Sequence, residues 1–173
     1  MELLLIRHGE SRTGVEGKHQ TFDDPLTKEG IVKLFKMPGY FDLVLSSDMP
    51  RALETAKTMF PNQHITVDER LREKRNGIFE GLPKKEVDWS EINKQSFMKR
   101  KAEGGESLEE VVSRIKDFLL SLPEGRYAII SHGTALRIIL ALTLGLDIEK
   151  TLRSLQISHG SSLQVTFNKS ILE

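Results

Sequence analysis

Three stretches of the chain set basic or imidazole side chains directly behind an apolar run. Leu4-Leu5-Ile6 leads into Arg7-His8-Gly9-Glu10-Ser11, Val44-Leu45 into Ser46-Ser47-Asp48-Met49-Pro50-Arg51, and Ile129-Ile130 into Ser131-His132-Gly133-Thr134. An apolar run that passes into a helical pattern reads as a strand end next to a helix start, where backbone N–H groups are unsatisfied and point outward. Gly9 and Gly133 permit close backbone approach, and Pro50 places Arg51 in the first turn of its helix. Two arginines, two histidines and helix N-termini gathered at one sheet edge make an anion pocket, for which phosphate is the fitting guest. Each residue alone has a plainer reading. A strand-end histidine is commonly a satisfied surface residue, Arg51 a solvated helix charge, and Arg7 a gatekeeper against strand aggregation. Their recurrence at three strand ends is what points to chemistry.

To serve such a pocket the three stretches must lie side by side. Runs at residues 2–6, 41–45, 65–67, 127–130 and 162–167 are short and rich in strand-forming or branched residues. Four are nearly all apolar, the pattern of strands covered on both faces. Helical patterns alternate with them. At 107–122, Ser107 and Glu110 have capping-box spacing, and Leu108, Val111, Val112, Ile115, Phe118, Leu119 and Leu122 fall on one stripe. Other helices are expected after Thr27, after Asp48 and from 134 to about 144. This alternation predicts a three-layer α/β/α sandwich around a mostly parallel central sheet, with right-handed crossovers. Residues 84–101, charged and partly helical in pattern, carry Trp89 and Phe97 and are closed by Gly104-Gly105. They read as an excursion, so the expectation is one domain over 1–173 with a small cap-like segment at about 80–106.

Composition narrows the function classes. A chain of 173 residues fits one domain. Its 25 basic and 25 acidic residues cancel, which argues against general attraction to nucleic acid or an anionic membrane, so any anion binding must be local. The absence of cysteine excludes disulfides, thiolate metal sites and a cysteine nucleophile. No helical His-x-x-x-His or clustered-carboxylate spacing appears, so no metal site is expected. The apolar run at 3–6 is too short for a signal-peptide core, and the run at 135–146, interrupted by Arg137 and Gly145, falls short of the roughly 18 residues of a membrane helix. A cytoplasmic location is the expectation. Ser-His-Gly occurs twice: His132 follows an apolar strand and opens an apolar helix, whereas His159 precedes a strand and reads as a turn or pocket-rim residue. His19 and His64 carry no signal beyond that of surface residues.

At this level of detail the sequence resembles the histidine phosphatase superfamily, also called phosphoglycerate-mutase-like. The resemblance lies in Arg7-His8-Gly9-Glu10-Ser11, Asp23-Asp24-Pro25-Leu26-Thr27 with Gly30, Ser46-Ser47-Asp48 with Arg51-Ala52 and Thr55-Ala56, and Leu71-Arg72-Glu73 with Gly77 and Glu80-Gly81. It ends with Gly104-Gly105-Glu106-Ser107 and Ser131-His132-Gly133. The resemblance implies that His8 is a nucleophile forming phosphohistidine, that Arg7, Arg51 and His132 bind phosphoryl oxygens, and that the Gly133 amide joins them. It implies that Glu73 protonates the leaving oxygen and then activates water, with no cofactor and no metal. Glu80, Glu103 and Glu106 are rivals for that role whose plainer reading is loop carboxylates or helix-entry caps. Glu10 reads as a residue that orients its loop.

Two positions depart from the pattern. Gly14 stands where many relatives carry a phosphate-binding asparagine, which leaves Ser11 or a backbone amide to compensate. Lys74-Arg75-Asn76 stands where an apolar or aromatic residue is common; a solvated loop is the plainer reading, recognition of an acidic substrate tail the sharper one. The resemblance to short-chain members implies a metal-independent phosphomonoesterase acting on a small phosphorylated metabolite. The alternatives are a cofactor-dependent phosphoglycerate mutase and a non-catalytic phosphate- or phosphopeptide-binding relative. Oligomeric state is open, a homodimer through the edge strand at 162–167 included.

Overall fold

A computed structural model of the chain describes residues 1–172. Its centre is a five-stranded sheet in the order β3-β2-β4-β1-β5, built from β1 (Glu2–Arg7), β2 (Leu43–Ser46), β3 (Ile65–Val67), β4 (Arg126–Ser131) and β5 (Ser162–Thr166). The pairs β1–β4, β4–β2 and β2–β3 are parallel, and β5 runs antiparallel along β1. Side chains alternate across the strands, so each face receives its own apolar layer. On one face Leu3, Leu5, Tyr127 and Ile129 pack against α4 (Leu108–Ser121) and α5 (Gly133–Leu144). On the other, Ile6, Val44, Ala128 and Ile130 meet Ala52, Ala56 and Met59 of α3 (Pro50–Met59). This is the three-layer arrangement expected from the apolar strands.

The helices begin where the local chemistry dictates. Ser107 caps α4 by accepting the Glu110 amide while Glu110 accepts the Ser107 amide, the reciprocal bonding expected from that spacing. Its inner stripe, Val111, Ile115, Phe118 and Leu119, is fully buried, each such side chain contributing about 1.5–3 kcal/mol by leaving water. Helix α5 ends at Gly145, whose φ of 63° is the left-handed cap glycine accepts without strain. Three short helices complete the set: α1 (Arg12–Val15), α2 (Lys28–Val32) and α6 (Ile148–Ser154). Of these only α2 is foreseen in the sequence; α6 is announced only by Asp147, which caps it through the Lys150 amide.

Two expectations need correction. The second strand starts at Leu43 rather than at 41, because Phe41 sits in the preceding loop, edge-on to Phe60 at 5.7 Å, with Asp42 tied to Arg126. Residues 84–101 form no α-helix, since their charges leave no apolar stripe. They carry two 3₁₀ turns, Lys84–Glu86 and Ile92–Lys94, and are joined to the N-terminal loop by the Lys84 amide, which donates to the Gly17 carbonyl. No helix among the described residues is long and apolar enough to cross a membrane.

The segment after β3 lies backbone against backbone on residues 103–106. Gly77 has a φ of 57°, and a β-carbon there would come within 2.0 Å of the Glu103 carbonyl oxygen. Gly77→Ala is therefore expected to destabilise the fold by about 2 kcal/mol or more. Urea denaturation measures this, and an unchanged midpoint would contradict the close approach.

Candidate active site

Strand register brings the three sequence stretches together. Arg7 pairs with Ser131, and Ser46 with Ile130, so His8 and His132 leave the sheet at one level and Ser47 one residue below them. The His8 and His132 rings lie 5.0 Å apart and are fully buried. His8 Nδ1 is 2.7 Å from the Gly9 carbonyl, which can only accept; the proton is thus on Nδ1 and the Nε2 lone pair is free. Burial, followed by the charges of Arg51 and Arg7, pushes the His8 pKa well below the ordinary histidine value, and the ring is neutral at pH 7. His132 is pushed the same way by burial and by His8. Its Nε2 is 3.0 Å from Ser47 Oγ, which also accepts the Met49 amide; among the described residues the imidazole is the one acceptor within reach of the serine proton, and with that bond made His132 carries its own proton on Nδ1.

Arg51, on the first turn of α3, is fully buried. Its Nη1 donates to the Thr21 carbonyl at 2.8 Å, so the loop after α1 is wrapped over it. Thr55, one turn later, accepts the Gly9 amide at 3.0 Å and donates to the Arg51 carbonyl, joining α3 to the His8 loop. Arg7 donates to the Ile157 carbonyl at 2.5 Å and to His159 Nε2 at 2.8 Å. That contact requires His159 to be neutral, and partial burial together with Arg7 pushes its pKa down to about 4. His159 lies at the exposed rim with its ring 5.3 Å from that of His8. The rim reading of this residue stands, but the sequence gives no sign that it orients Arg7.

Four nitrogens of this group are buried without any hydrogen-bond partner: Arg7 Nε, His8 Nε2, Arg51 Nε and His132 Nδ1. An unsatisfied buried polar atom costs about 1–3 kcal/mol, and native structures hold few. Among the described residues only one other side-chain nitrogen shares this condition, Nε2 of His19 at the cleft wall. Three donors of this kind beside one free lone pair fit a compact oxyanion, and the first amide of α5, at Gly133, adds the positive end of a twelve-residue helix.

Glu73 reaches the site from the loop after β3. Its Oε2 accepts the Thr134 amide at 3.0 Å and its Oε1 the Lys74 amide at 2.9 Å. Burial lowers the Arg7 and Arg51 pKa values and Glu73 opposes that shift in both, so both arginines feel its charge. Three anchors hold the loop: Arg72 forks onto Asp48 at 2.8 and 2.5 Å, Arg114 donates to the Arg70 and Glu73 carbonyls, and Ser131 Oγ donates to the Leu71 carbonyl. Two of the rival carboxylates have backbone or arginine partners of their own. Glu80 accepts the Asn76 amide, and Glu106 pairs with Arg114 at 2.9 Å. Glu103 is exposed. Glu10 accepts from Thr27, as its loop-orienting reading requires.

Above these residues opens a polar cleft of about 190 Å³ whose walls include Arg7, Glu73, Gly133, His19, Gln20 and Lys74. Ser11, expected among the substrate contacts, is instead buried beneath Gln20, whose amide donates to its Oγ at 2.5 Å. A β-carbon at Gly14 would lie 3.2 Å from Ser11 Oγ and 3.5 Å from Gln20 Nε2, so Gln20 fills the space in front of the missing asparagine. The plainer reading of Lys74-Arg75-Asn76 holds only for Arg75, which is exposed, since Lys74 and Asn76 line the cleft. His64 is exposed and precedes β3 at the opposite sheet edge. No cluster of three or more His, Cys, Asp or Glu side chains suited to a metal ion occurs among the described residues.

Comparison with known proteins agrees with this geometry. The family model described as "Histidine phosphatase superfamily (branch 1)" matches residues 3–170. A probable phosphoglycerate mutase GpmB of Salmonella paratyphi B is 31% identical over 163 aligned positions, covering 84% of this chain and 76% of that protein. Among solved structures, TTHB049 from Thermus thermophilus is 30% identical with a TM-score of 0.75, covering 95% of this chain and 93% of that one. The α-ribazole phosphatase of Shigella flexneri, 24% identical, shares the fold with a TM-score of 0.84 and coverage of 98% and 92%. A match running from the first strand through the last, on a sheet edge that gathers His8, Arg7, Arg51 and His132, makes this chain a member of the histidine phosphatase superfamily, branch 1.

Proposed function

We propose that the protein is a metal-independent phosphomonoesterase that hydrolyses a small phosphorylated metabolite through phosphohistidine on His8. The observation that carries this reading is the set of three unpartnered buried nitrogens, Arg7 Nε, Arg51 Nε and His132 Nδ1, around the free lone pair of His8 Nε2. His8 Nε2 attacks phosphorus as the bond to the ester oxygen breaks in line with it. Arg7, Arg51, His132 Nδ1–H and the Gly133 amide take up charge on the phosphoryl oxygens, as donors fixed before the reaction begins. Glu73 takes the proton that a monoanionic substrate brings on its phosphate and passes it to the leaving oxygen. As a carboxylate it then takes a proton from the water that breaks the N–P bond, which releases inorganic phosphate and restores His8. Hydrolysis is favoured over return of the phosphoryl group to product because the segment over the cleft is short, carries only 3₁₀ turns, and leaves the rim at His159 exposed.

An aryl phosphate is expected to be hydrolysed in excess chelator, and acid-labile, base-stable phosphoenzyme is expected to accumulate on quenching. His8→Ala abolishes both, and Glu73→Gln slows turnover by about 10²–10⁴-fold. A metal requirement, or full activity without His8, would overturn the mechanism. Interconversion of phosphoglycerates, stimulated by bisphosphoglycerate to the phosphatase rate, would instead favour a mutase.

The pH profile tests the electrostatics. His8 attacks only when neutral, and its pKa lies well below about 6.5, so acidification through that value does not protonate it. Once the substrate's own phosphate ionisation near 6 is corrected for, kcat/KM is expected to show no acid-side loss between about pH 7.5 and 6. A loss centred near 6.5 would mean that His8 titrates as an exposed histidine does.

A further inference from the structure

The cleft over Arg7 and Glu73 continues into a second cavity of about 210 Å³, and Lys74, Asn76, Thr134 and Arg137 belong to the walls of both. The outer wall of the second cavity is aromatic. Phe79 and Trp89 meet edge to face with ring centroids 5.1 Å apart. The cations on the shared wall have no carboxylate in contact: among the described residues neither Lys74 nor Arg137 forms an ion pair, and Glu73 and Glu106 act on Lys74 only from beyond that distance. Arg137 is fixed by donating Nε to the Gly133 carbonyl and Nη1 to those of Leu152 and Leu155, neutral partners that leave its charge uncancelled. Lys74 is half-buried beside it. A desolvated ammonium without a carboxylate is unfavourable, whereas an anion entering the same space regains charge-assisted hydrogen bonds. Aromatic walls accept a flat unsaturated group by stacking or by edge contact.

We infer that this second cavity receives the leaving group of the substrate, and that the leaving group is planar, unsaturated and negatively charged, its anion held by Lys74 and Arg137 and its ring by Phe79 and Trp89. The inference rests on the phosphomonoesterase reading of the His8 site. It resolves the two readings of the 74–76 segment: Lys74 and Asn76 face substrate, and Arg75 is the solvated residue.

Binding and turnover test it separately. In the His8→Ala protein, titration calorimetry compares para-carboxyphenyl phosphate with phenyl phosphate, which lacks the second charge, and with phosphoglycolate, which lacks the ring. The doubly matched ester is expected to bind about tenfold or more tightly than either. Lys74→Met removes its advantage over phenyl phosphate, Lys74→Arg retains it, and Trp89→Ala removes its advantage over phosphoglycolate. Equal affinity for the three esters, or an advantage that survives Lys74→Met, overturns the inference. Wild-type protein that hydrolyses all three with the same kcat/KM also overturns it and leaves the phosphatase reading intact. Preferential binding without phosphate release supports the cavity's role and overturns hydrolysis instead.

Discussion

Two guanidinium groups and two imidazoles are crowded together at one end of the sheet, beneath the cleft, and much of the chain serves to keep them there. Burial lowers the pKa values of all four, most strongly for the histidines, so the imidazoles stay neutral while the arginines, with far higher intrinsic values, keep their charge. One physical effect thus sorts the site into two cations and two neutral imidazoles, one of them with a free lone pair. The cost is met by rigid attachment. Arg51 is held by loop carbonyls, Arg7 by Ile157 and His159, and the His8 loop by Thr55. The donors are therefore already in place before any substrate oxygen arrives.

Glu73 shows how a residue from a weakly structured segment acquires a fixed position. Its segment has no strand or α-helix of its own. It is bound to the sheet through Ser131, to the end of β2 through Asp48, to α4 through Arg114 and to the first turn of α5 through its own carboxylate. Contact with Gly77 locks the far end against residues 103–106. The carboxylate that neutralises part of the site's positive field also caps the helix whose N-terminus faces the pocket, so position and electrostatics come from the same bonds.

The elements legible in the sequence are those governed by local rules. The Ser107/Glu110 capping box, the apolar strands and the helix after His132 all follow from spacing within about fifteen residues, and the strand-end residues Arg7, His8, Arg51 and His132 come with them. What escapes depends on partners distant in the chain. Gln20 is set over Ser11 by the fold of a loop, and His159 reaches Arg7 across 152 positions. Lys74 is separated from its neighbour Arg75 only by which way the loop turns. Helix α6 is too short for a periodic stripe to identify it. Glu73 stands out from many acidic residues only by its resemblance to a family pattern, because no local rule marks a carboxylate whose partners lie on three other elements.

The antiparallel strand β5 closes one edge of the sheet, and the turn that leads into it completes the pocket. The Gly160 amide bonds the Arg7 and His8 carbonyls, Ser161 accepts the Arg7 amide, and Ile157 and His159 take the guanidinium. During synthesis Arg7 emerges 152 positions ahead of the histidine that clamps it. A nascent chain that has already paired its parallel strands and buried most of its core still lacks the bonds that orient this guanidinium. The arrangement of Arg7 is therefore completed by a contact that closes a loop spanning most of the chain.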